Sequence, residues 1–261
     1  MSILEAFDPC GREIILPTEV ISREDGFPHT VIGCLNARFV RLAVKKYHFR
    51  EISYIDISGA KIPIYAFEYN GIPLGCFHSP LGGPASVGIL EEMIAKGAQR
   101  LLYFGACGSL DRSLPAGKLI IPEQAYRDEG TSYHYAPSSD YINVPTADVL
   151  SEIFSQLDIP FVKTKTWTTD GFYRETSDKA DKRRSEGCGV VDMECASLTA
   201  CAQFRNVPLF QFLYTADCLD GEQWDKRILG TEYGDLCDVI LTAALETAVR
   251  IDDLAERRCI K

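Results

Sequence analysis

The sequence has no long apolar run, and this absence removes one large class of proteins. None of its apolar stretches approaches the roughly 20 consecutive residues that a helix needs to cross a bilayer. Residues 1–11 also lack the apolar core of a secretory signal. Basic charge is scarce, since 27 Lys and Arg stand against 37 Asp and Glu and leave a net charge of −10. We therefore expect neither a nucleic-acid partner nor a membrane partner.

Several familiar site motifs are missing as well. The ten cysteines include no Cys-x-x-Cys pair, which favours reduced thiols in a cytoplasmic protein over disulfides or a metal site. The glycine-rich segments 79–84 and 105–109 fit neither a dinucleotide-binding fingerprint nor a P-loop. Ser86 lies in Pro-Ala-Ser-Val-Gly, which has proline where a nucleophile elbow needs glycine. We expect no metal, no cofactor and no acyl transfer by a nucleophilic serine.

The hydrophobic pattern predicts an α/β fold. Apolar runs 62–68 and 72–77 flank Asn70-Gly71, which is the strongest hairpin signal in the chain. A helix at 85–96 and a strand at 100–104 follow, and together with the second hairpin strand they predict a parallel β-α-β unit. We predict a single domain over 1–261, with a central mixed, largely parallel twisted sheet flanked by helices in a three-layer α/β/α arrangement. In this prediction residues 13–16 form the first strand and residues 105–109 form a loop.

Three carboxylates stand where buried strands are predicted to end. Asp192 and Glu194 follow one short strand, and Asp217 follows the apolar strand 209–215. Open α/β sheets bind ligands at the carboxyl ends of their strands. Residues two apart diverge by about 200° on a helix, so Asp192 and Glu194 both face a ligand only at a strand-to-helix junction. Taken singly, each carboxylate also suits a structural role, as a helix N-cap or a turn residue.

These residues carry a resemblance to a known family. Val-Asp-Met-Glu-Cys-Ala, followed by a strand that ends in Ala-Asp, resembles the nucleoside phosphorylases, the group that contains purine nucleoside and uridine phosphorylases. In that family a Glu-Met-Glu segment holds the ribose, and a later Asp protonates the purine as the glycosidic bond breaks. The resemblance implies that Met193 and Glu194 bind the ribose and that Asp217 is the general acid. Asp192 stands where Glu is usual, so its side chain is one methylene shorter.

The resemblance implies further contacts with a nucleoside. Phe172 and Tyr173 match an aromatic pair that stacks on the base in the purine branch, although such rings can equally close a sheet edge. The polar segment 218–227 is either a mobile lid that carries Arg227 to the base or to the catalytic Asp, or an exposed connector. Free N–H groups in glycine segments make polar-ligand sites. The candidate residues in the two glycine segments are Gly82, Gly83, Gly105 and Ala106.

The phosphate site departs from the family pattern. The first family strand normally ends in Gly-Asp-Pro-x-x-Arg, but the predicted strand 13–16 is followed by Pro-Thr-Glu. In the Arg-x-Gly-Thr/Ser-x-Gly motif of the fifth strand, Tyr103 replaces the Arg and Ala106 replaces the hydroxyl residue. A buried phosphate without cationic partners is strongly disfavoured. The candidate replacements, from the same chain or from a neighbouring subunit, are Arg23, Arg38, Arg41 and Arg50.

The main prediction is a pentosyltransferase that cleaves the N-glycosidic bond of a purine or pyrimidine nucleoside with phosphate, giving free base and ribose 1-phosphate. One alternative is a nucleosidase that uses water instead of phosphate, with Glu19 as general base. A second alternative is a nucleoside-binding protein without catalysis. The resemblance also implies a homo-oligomer, either a dimer, a trimer or a hexamer.

Overall fold

One mixed sheet with helices on both faces forms the body of the molecule. A computed structural model describes residues 2–5, 7–57, 59–221, 223–231 and 233–259, with side chains described as far as residue 255. The strands are β1 Thr30–Cys34, β2 Arg50–Ile57, β3 Ala60–Tyr69, β4 Ile72–His78, β5 Arg100–Ser109, β6 Leu119–Asp128, β7 Tyr141–Asn143, β8 Phe161–Thr169, β9 Cys188–Asp192 and β10 Leu209–Cys218. The helices are α1 Pro17–Val20, α2 Ala37–Lys46, α3 Gly83–Lys96, α4 Ala147–Gln156, α5 Ser177–Ser185, α6 Cys195–Phe204 and α7 Asp235–Cys259.

The strand directions bring several carboxyl ends to one edge of the sheet. The strand order is β10-β6-β8-β9-β5-β1-β4-β3-β2, with β7 beside β6, and β10 also pairs with β5. β1 runs parallel to β4 and β5, and β10 runs parallel to β5, so these four strands end at the same edge. β9 runs antiparallel to β5 and pairs Val191 with Gly108. Asp192, the last residue of β9, is thereby placed beside the end of β5.

Buried apolar side chains explain why the helices cover both faces. On one face α3 and α6 contribute Leu90, Met93 and Leu198 to a core cluster. On the other face α2, α4 and α7 contribute side chains such as Phe39 and Phe154. Each fully buried side chain of this size stabilises the fold by about 1.5–3 kcal/mol. Within the described part of the chain, no helix has both the length and the apolar character that crossing a membrane requires.

The first strand is not where the sequence pattern placed it, and the prediction of a strand at 13–16 is wrong. Those residues form no strand, and Ile14 is 95% exposed, so this apolar run has no sheet to pair with. β1 is Thr30–Cys34, whose five residues are all buried between β4 and β5. Asn36 then caps α2 by accepting a hydrogen bond from the Arg38 N–H at 3.0 Å. An arginine therefore does follow the true first strand.

The glycine-rich segment 105–109 is strand rather than loop, which corrects the second prediction. Its residues pair with β10 over the last part of β5. A Cβ on Gly105 would lie 2.6 Å from the Cβ of Leu35, and one on Gly108 would lie 2.6 Å from Cδ1 of Leu219. Glycine is present because neighbouring side chains fill these positions, not because the chain turns.

The hairpin prediction is confirmed. β3 and β4 pair antiparallel up to Tyr69 and Ile72, and the two residues between them are Asn70 and Gly71. Both have positive φ angles, 52° and 79°. Asn and Gly tolerate this conformation better than other residues do, which is why the pair is a strong hairpin signal.

Candidate active site at the carboxyl edge of the sheet

The Asp192 carboxylate is fully occupied by protein donors. Its Oδ1 accepts hydrogen bonds from the hydroxyls of Thr166 and Thr168, both at 2.8 Å. Its Oδ2 accepts from the backbone N–H groups of Glu194 and Cys195, at 2.8 and 2.6 Å. Burial raises the pKa of Asp192, and these four donors act against that rise. The last two N–H groups open α6, so Asp192 caps this helix and fixes the position of Glu194.

Glu194 faces the glycine segment that precedes α3. It is 3% exposed, and its Oε1 accepts a hydrogen bond from the Gly82 N–H at 2.7 Å. Gly82 has a φ of +90°, a conformation that favours glycine. Burial, together with the charge of Asp192, raises the pKa of Glu194 to about 8. In the free protein at neutral pH this carboxyl therefore keeps its proton, and it can donate one hydrogen bond and accept others.

Asp217 lies near the end of β10, and like Asp192 it is 4% exposed. Its Oδ2 accepts a hydrogen bond from the indole Nε1 of Trp224 at 2.7 Å. Its Oδ1 lies 3.3 Å from the position of a Cβ built on Gly108. Burial raises the pKa of Asp217, while the Trp224 hydrogen bond and the charge of Arg227 lower it. A carboxyl with a raised pKa holds its proton closer to neutral pH, as a general acid must.

The structure brings two of the predicted carboxylates, those of Asp192 and Asp217, to the same place. Gly108 pairs with Val191 of β9 on one side and with Asp217 of β10 on the other. Burial raises the pKa of the Cys107 thiol, and the charges of both Asp192 and Asp217 raise it further. Both aspartates therefore surround the end of β5, with Glu194 two residues beyond the first of them.

The predicted aromatic pair lies in an exposed turn. Phe172 and Tyr173 belong to the short 3-10 helix Phe172–Arg174, and their rings meet edge to face at 4.8 Å. Phe172 is 40% exposed and Tyr173 is 92% exposed. The next residue after this turn is Glu175, whose pKa is raised to about 7 by burial and by the charge of Asp217. This turn therefore borders the Asp217 end of the site.

The remaining predicted residues also lie at this edge of the sheet or at the start of α3. Met193 is half-buried between the two carboxylates, and Ala106 is half-buried in β5. Gly83 is buried in the first turn of α3, directly against the Ser197 hydroxyl, so a side chain there would clash. Thr131 also lies against Gly83.

Arg227 binds backbone carbonyls instead of contacting Asp217. Its Nη1 donates to the carbonyl of Leu114 at 2.6 Å, and its Nη2 donates to that of Arg112 at 3.3 Å. Its Nε pairs with Asp225 at 3.3 Å. Glu222, which belongs to the predicted lid segment, lies outside the described residues. The side chain from this segment that reaches Asp217 is Trp224.

Two residues of this site, Glu175 and Trp224, were missed by sequence reasoning. Nothing local marks Glu175, because its nearness to Asp217 arises only from the fold. Trp224 carried a usable signal, since it is a large ring in an otherwise polar segment directly after the strand of Asp217. Tryptophan places its N–H against a partner when its ring is partly covered.

The position of the family's phosphate-binding arginine holds a buried neutral ring. Tyr103 is 1% exposed, and a Cβ on Gly33 would lie 2.7 Å from its ring carbons. Arg38 is the candidate cation that follows β1 most closely along the chain. Its guanidinium donates to the carbonyl of Thr231 and lies over the Tyr233 ring. Burial lowers the pKa of His78, and the charge of the exposed Arg41 nearby lowers it further.

The predicted water-activating base is elsewhere. Glu19 lies in α1, and its Oε2 accepts a hydrogen bond from the Leu16 N–H at 3.0 Å. A cavity of about 730 Å³ also lies away from the carboxylates, at the amino ends of β5 and β10, where Arg100 and Leu209 line it. None of the predicted site residues lines this cavity.

Comparison with known proteins decides the family. Residues 30–246 match the family model described as the phosphorylase superfamily. This chain belongs to the phosphorylase superfamily. A guanosine phosphorylase of Halorubrum lacusprofundi is 28% identical over 143 residues, which are 54% of this chain and 59% of that relative. The match thus spans less than two-thirds of the relative's own length.

Solved structures of other proteins share the fold. A purine nucleoside phosphorylase from Toxoplasma gondii, solved with immucillin-H, superposes with a TM-score of 0.73 at 20% identity, over 92% of this chain and 97% of that one. An AMP nucleosidase from Bacteroides thetaiotaomicron superposes with a TM-score of 0.70 at 16% identity, over 88% of this chain and 91% of that one. At these identities the likeness shows the fold alone, and it confirms the predicted fold class.

Proposed function

We propose that this protein cleaves the N-glycosidic bond of a nucleoside and transfers the pentosyl group to phosphate. Two buried carboxyls with raised pKa values, Glu194 and Asp217, lie around the end of β5, and this juxtaposition is the observation that carries the proposal. Membership of the phosphorylase superfamily supports it, as does the similarity to a protein named guanosine phosphorylase.

The reaction needs a group that binds the sugar and a group that protonates the departing base. Glu194 binds ribose hydroxyls, and Met193 packs under the sugar. Asp217 gives its proton to a ring nitrogen of the base while the glycosidic bond to C1′ breaks and its electron pair goes to the base, so the base leaves without negative charge. A phosphate oxygen forms the new bond to C1′, and Asp217 regains a proton from solvent. Asp192 holds Glu194 in place through the N–H groups that open α6.

The base is bound beside the turn that carries Phe172 and Tyr173. A half-exposed ring such as Phe172 can stack on a base, because every base offers an apolar face. Glu175 lies on the Asp217 side of this turn. Its carboxyl can accept a hydrogen bond from an N–H of the base or, when protonated, donate one. Purine nucleosides are the first substrates to test, and uridine is the comparison.

Hydrolysis is the second candidate, and one observation favours it. The neutral, buried Tyr103 occupies the position of the family's phosphate-binding arginine, and Ala106 offers no hydroxyl. Phosphate carries about two charges at neutral pH and needs cationic partners when it is buried. Arg41 is the exposed cation beside the ends of β1 and β4. In this second candidate function water is the acceptor and free ribose is the product.

Product analysis with and without phosphate tests the proposal. The purified chain is incubated with inosine, guanosine or uridine, and free base, ribose 1-phosphate and ribose are quantified. The proposal predicts base release that depends on phosphate and yields ribose 1-phosphate. Release of ribose at an equal rate without phosphate would establish the hydrolase instead. Nucleoside binding by calorimetry without turnover under either condition would leave a non-catalytic binding protein.

The homo-oligomer and the cytoplasmic location stay predictions. Size-exclusion chromatography with light scattering measures the first directly. The same purified chain serves for the product analysis and for the chromatography.

A further inference from the structure

A tryptophan from the segment after β10 holds the proposed general acid. Trp224 is 56% exposed, yet its indole Nε1 donates to Oδ2 of Asp217 at 2.7 Å. The backbone fixes this placement, because Cys218 and Asp225 exchange two hydrogen bonds, at 2.9 and 3.0 Å. Arg227 ties the far side of the same turn to the Leu114 carbonyl at 2.6 Å. The contact is thus built into the fold and is not a chance approach of a loose side chain.

The chemistry of the two groups decides which oxygen of Asp217 carries the proton. An indole N–H can only donate, and a protonated carboxyl has one hydroxyl oxygen that donates and one oxygen that accepts. Oδ2 accepts from Trp224, so the proton of the neutral acid belongs on Oδ1. Oδ1 lies on the side of Gly108, 3.3 Å from the position that a Cβ on this residue would take, so a larger residue there would crowd the carboxyl.

We propose that Trp224 is a positioning residue that keeps Oδ2 of Asp217 as an acceptor, so that Oδ1 delivers the proton to the departing base. This inference rests on the proposed function, because it assigns a role within the same reaction. No covalent bond to Trp224 is involved, and the indole keeps its hydrogen throughout. Arg227 acts on Asp217 itself only through its charge, and on the segment through its hydrogen bonds to backbone carbonyls.

A consequence for pH dependence follows from the charges that face Asp217. The Trp224 hydrogen bond lowers the pKa of Asp217, so its loss should raise that pKa. The other titratable or charged groups around the carboxyl are Glu175 after the 3-10 turn, Cys107 on β5, Asp192 on β9, and Asp225 and Arg227 in the following segment. None of them changes when the indole is replaced by a phenyl ring.

The variant Trp224→Phe tests this role, since it keeps an aromatic ring and removes the N–H together with the rest of the five-membered ring. A hydrogen bond to an ionisable group is strong, so we expect kcat to fall about 10-fold or more. The alkaline limb of the kcat profile, where Asp217 loses its proton, should move to higher pH. Gln223→Ala, an exposed neighbour on the same segment, is the control and should leave both unchanged. A Trp224→Phe enzyme with wild-type kcat, or with reduced kcat and an unmoved alkaline limb, would overturn the proposal.

Intrinsic fluorescence tests the same contact without any turnover. The chain has two tryptophans, and the other, Trp167, is fully buried with its Nε1 bonded to Asp128 at 3.1 Å. Titration of Asp217 should change the Trp224 emission in the wild type, and this change should vanish in Asp217→Asn and in Trp224→Phe. A change that persists in Asp217→Asn contradicts the contact. If the wild type shows the titration but cleaves no nucleoside, the proposed function fails while the contact stands.

Discussion

Asp192 and Asp217 are equally buried, at 4% exposure each, but the protein surrounds them differently. Four donors from β8 and the start of α6 saturate Asp192. The side-chain donor that reaches Asp217 comes from a half-exposed tryptophan on the segment after β10. The four donors fix the Asp192 carboxyl as part of the frame, and they oppose the rise in its pKa that burial causes. A carboxyl with a single, displaceable side-chain donor is free to exchange its proton.

This difference assigns a structural role to Asp192 and a catalytic role to Asp217, although both lie at the same edge of the sheet. Removing the Asp192 carboxylate should damage the fold, because the Thr168 hydroxyl and two backbone N–H groups lose their acceptor and the Thr166 hydroxyl keeps only a long contact with the Val190 carbonyl, at 3.4 Å. Removing the Asp217 carboxyl should damage the reaction and leave the fold nearly intact. Burial alone would not distinguish the two residues, so the hydrogen-bond partners carry the information.

The largest effect is expected for Asp217→Asn. Asparagine has nearly the same shape and can still accept from Trp224, but it cannot supply a proton. Turnover should fall by roughly 10²–10⁴-fold, as loss of a general acid does. Steady-state kinetics with a nucleoside measures this, and Asp158→Asn, at an exposed aspartate after α4, is the control. A turnover number that matches the wild type would remove Asp217 from the mechanism.

Asp192→Ala should produce the largest loss of stability. It strips the acceptor from two threonine hydroxyls and two backbone N–H groups. Each buried group left without a partner costs roughly 1–3 kcal/mol, so the total should be at least about 2 kcal/mol. Urea unfolding measures it, with Asp217→Asn as the matched buried aspartate. Equal unfolding free energies for the two variants would erase the distinction drawn between these residues.

Glu194→Gln should show its effect as a dependence of stability on pH. Folding raises the pKa of Glu194 to about 8, from an ordinary value near 4.3. The wild type therefore loses stability relative to the variant as pH rises from about 4 to about 8, and the difference is then constant. By pH 9 it should be on the order of a few kcal/mol in favour of the glutamine variant. Unfolding of both proteins at pH 5 and pH 9 tests this, with the exposed Glu152→Gln as control. A difference that does not change with pH contradicts it.

The smallest effect is expected for Arg227→Ala. Arg227 binds the carbonyls of Arg112 and Leu114, and only its charge reaches Asp217. Since a partly exposed charge acts weakly, turnover should change by less than about threefold. The alkaline limb should move slightly upward, because a positive charge that lowers the pKa of Asp217 is gone. A loss as large as that of Asp217→Asn would support the predicted lid that carries Arg227 to the base or to the catalytic Asp.

Local sequence signals predicted those parts of the fold that local chemistry determines. The Asn70-Gly71 turn needs positive φ angles, so its residues identify it. The predicted strand 209–215 and the predicted core helix 196–204 are apolar over their length. The structure has them as β10 and α6. The three carboxylates were recognised because they follow such buried elements and match a family motif.

Contacts between distant segments account for what sequence could not predict. Residues 13–16 have an apolar pattern suited to a strand, but no neighbouring strand pairs with them. The glycines of β5 suggested a loop, whereas Leu35 and Leu219 need the space beside them. Glu175 joins the site only because its turn packs near β10, and nothing in its own segment reveals that.

A crystal structure of Asp217→Asn with inosine and phosphate bound tests the central claim most directly, because the slow variant keeps the substrate intact. We predict one nucleoside whose ribose hydroxyl is within hydrogen-bond distance of Glu194 and whose base nitrogen is within hydrogen-bond distance of residue 217. A nucleoside that contacts only one of these residues, or that occupies the cavity beside Arg100, would contradict the account.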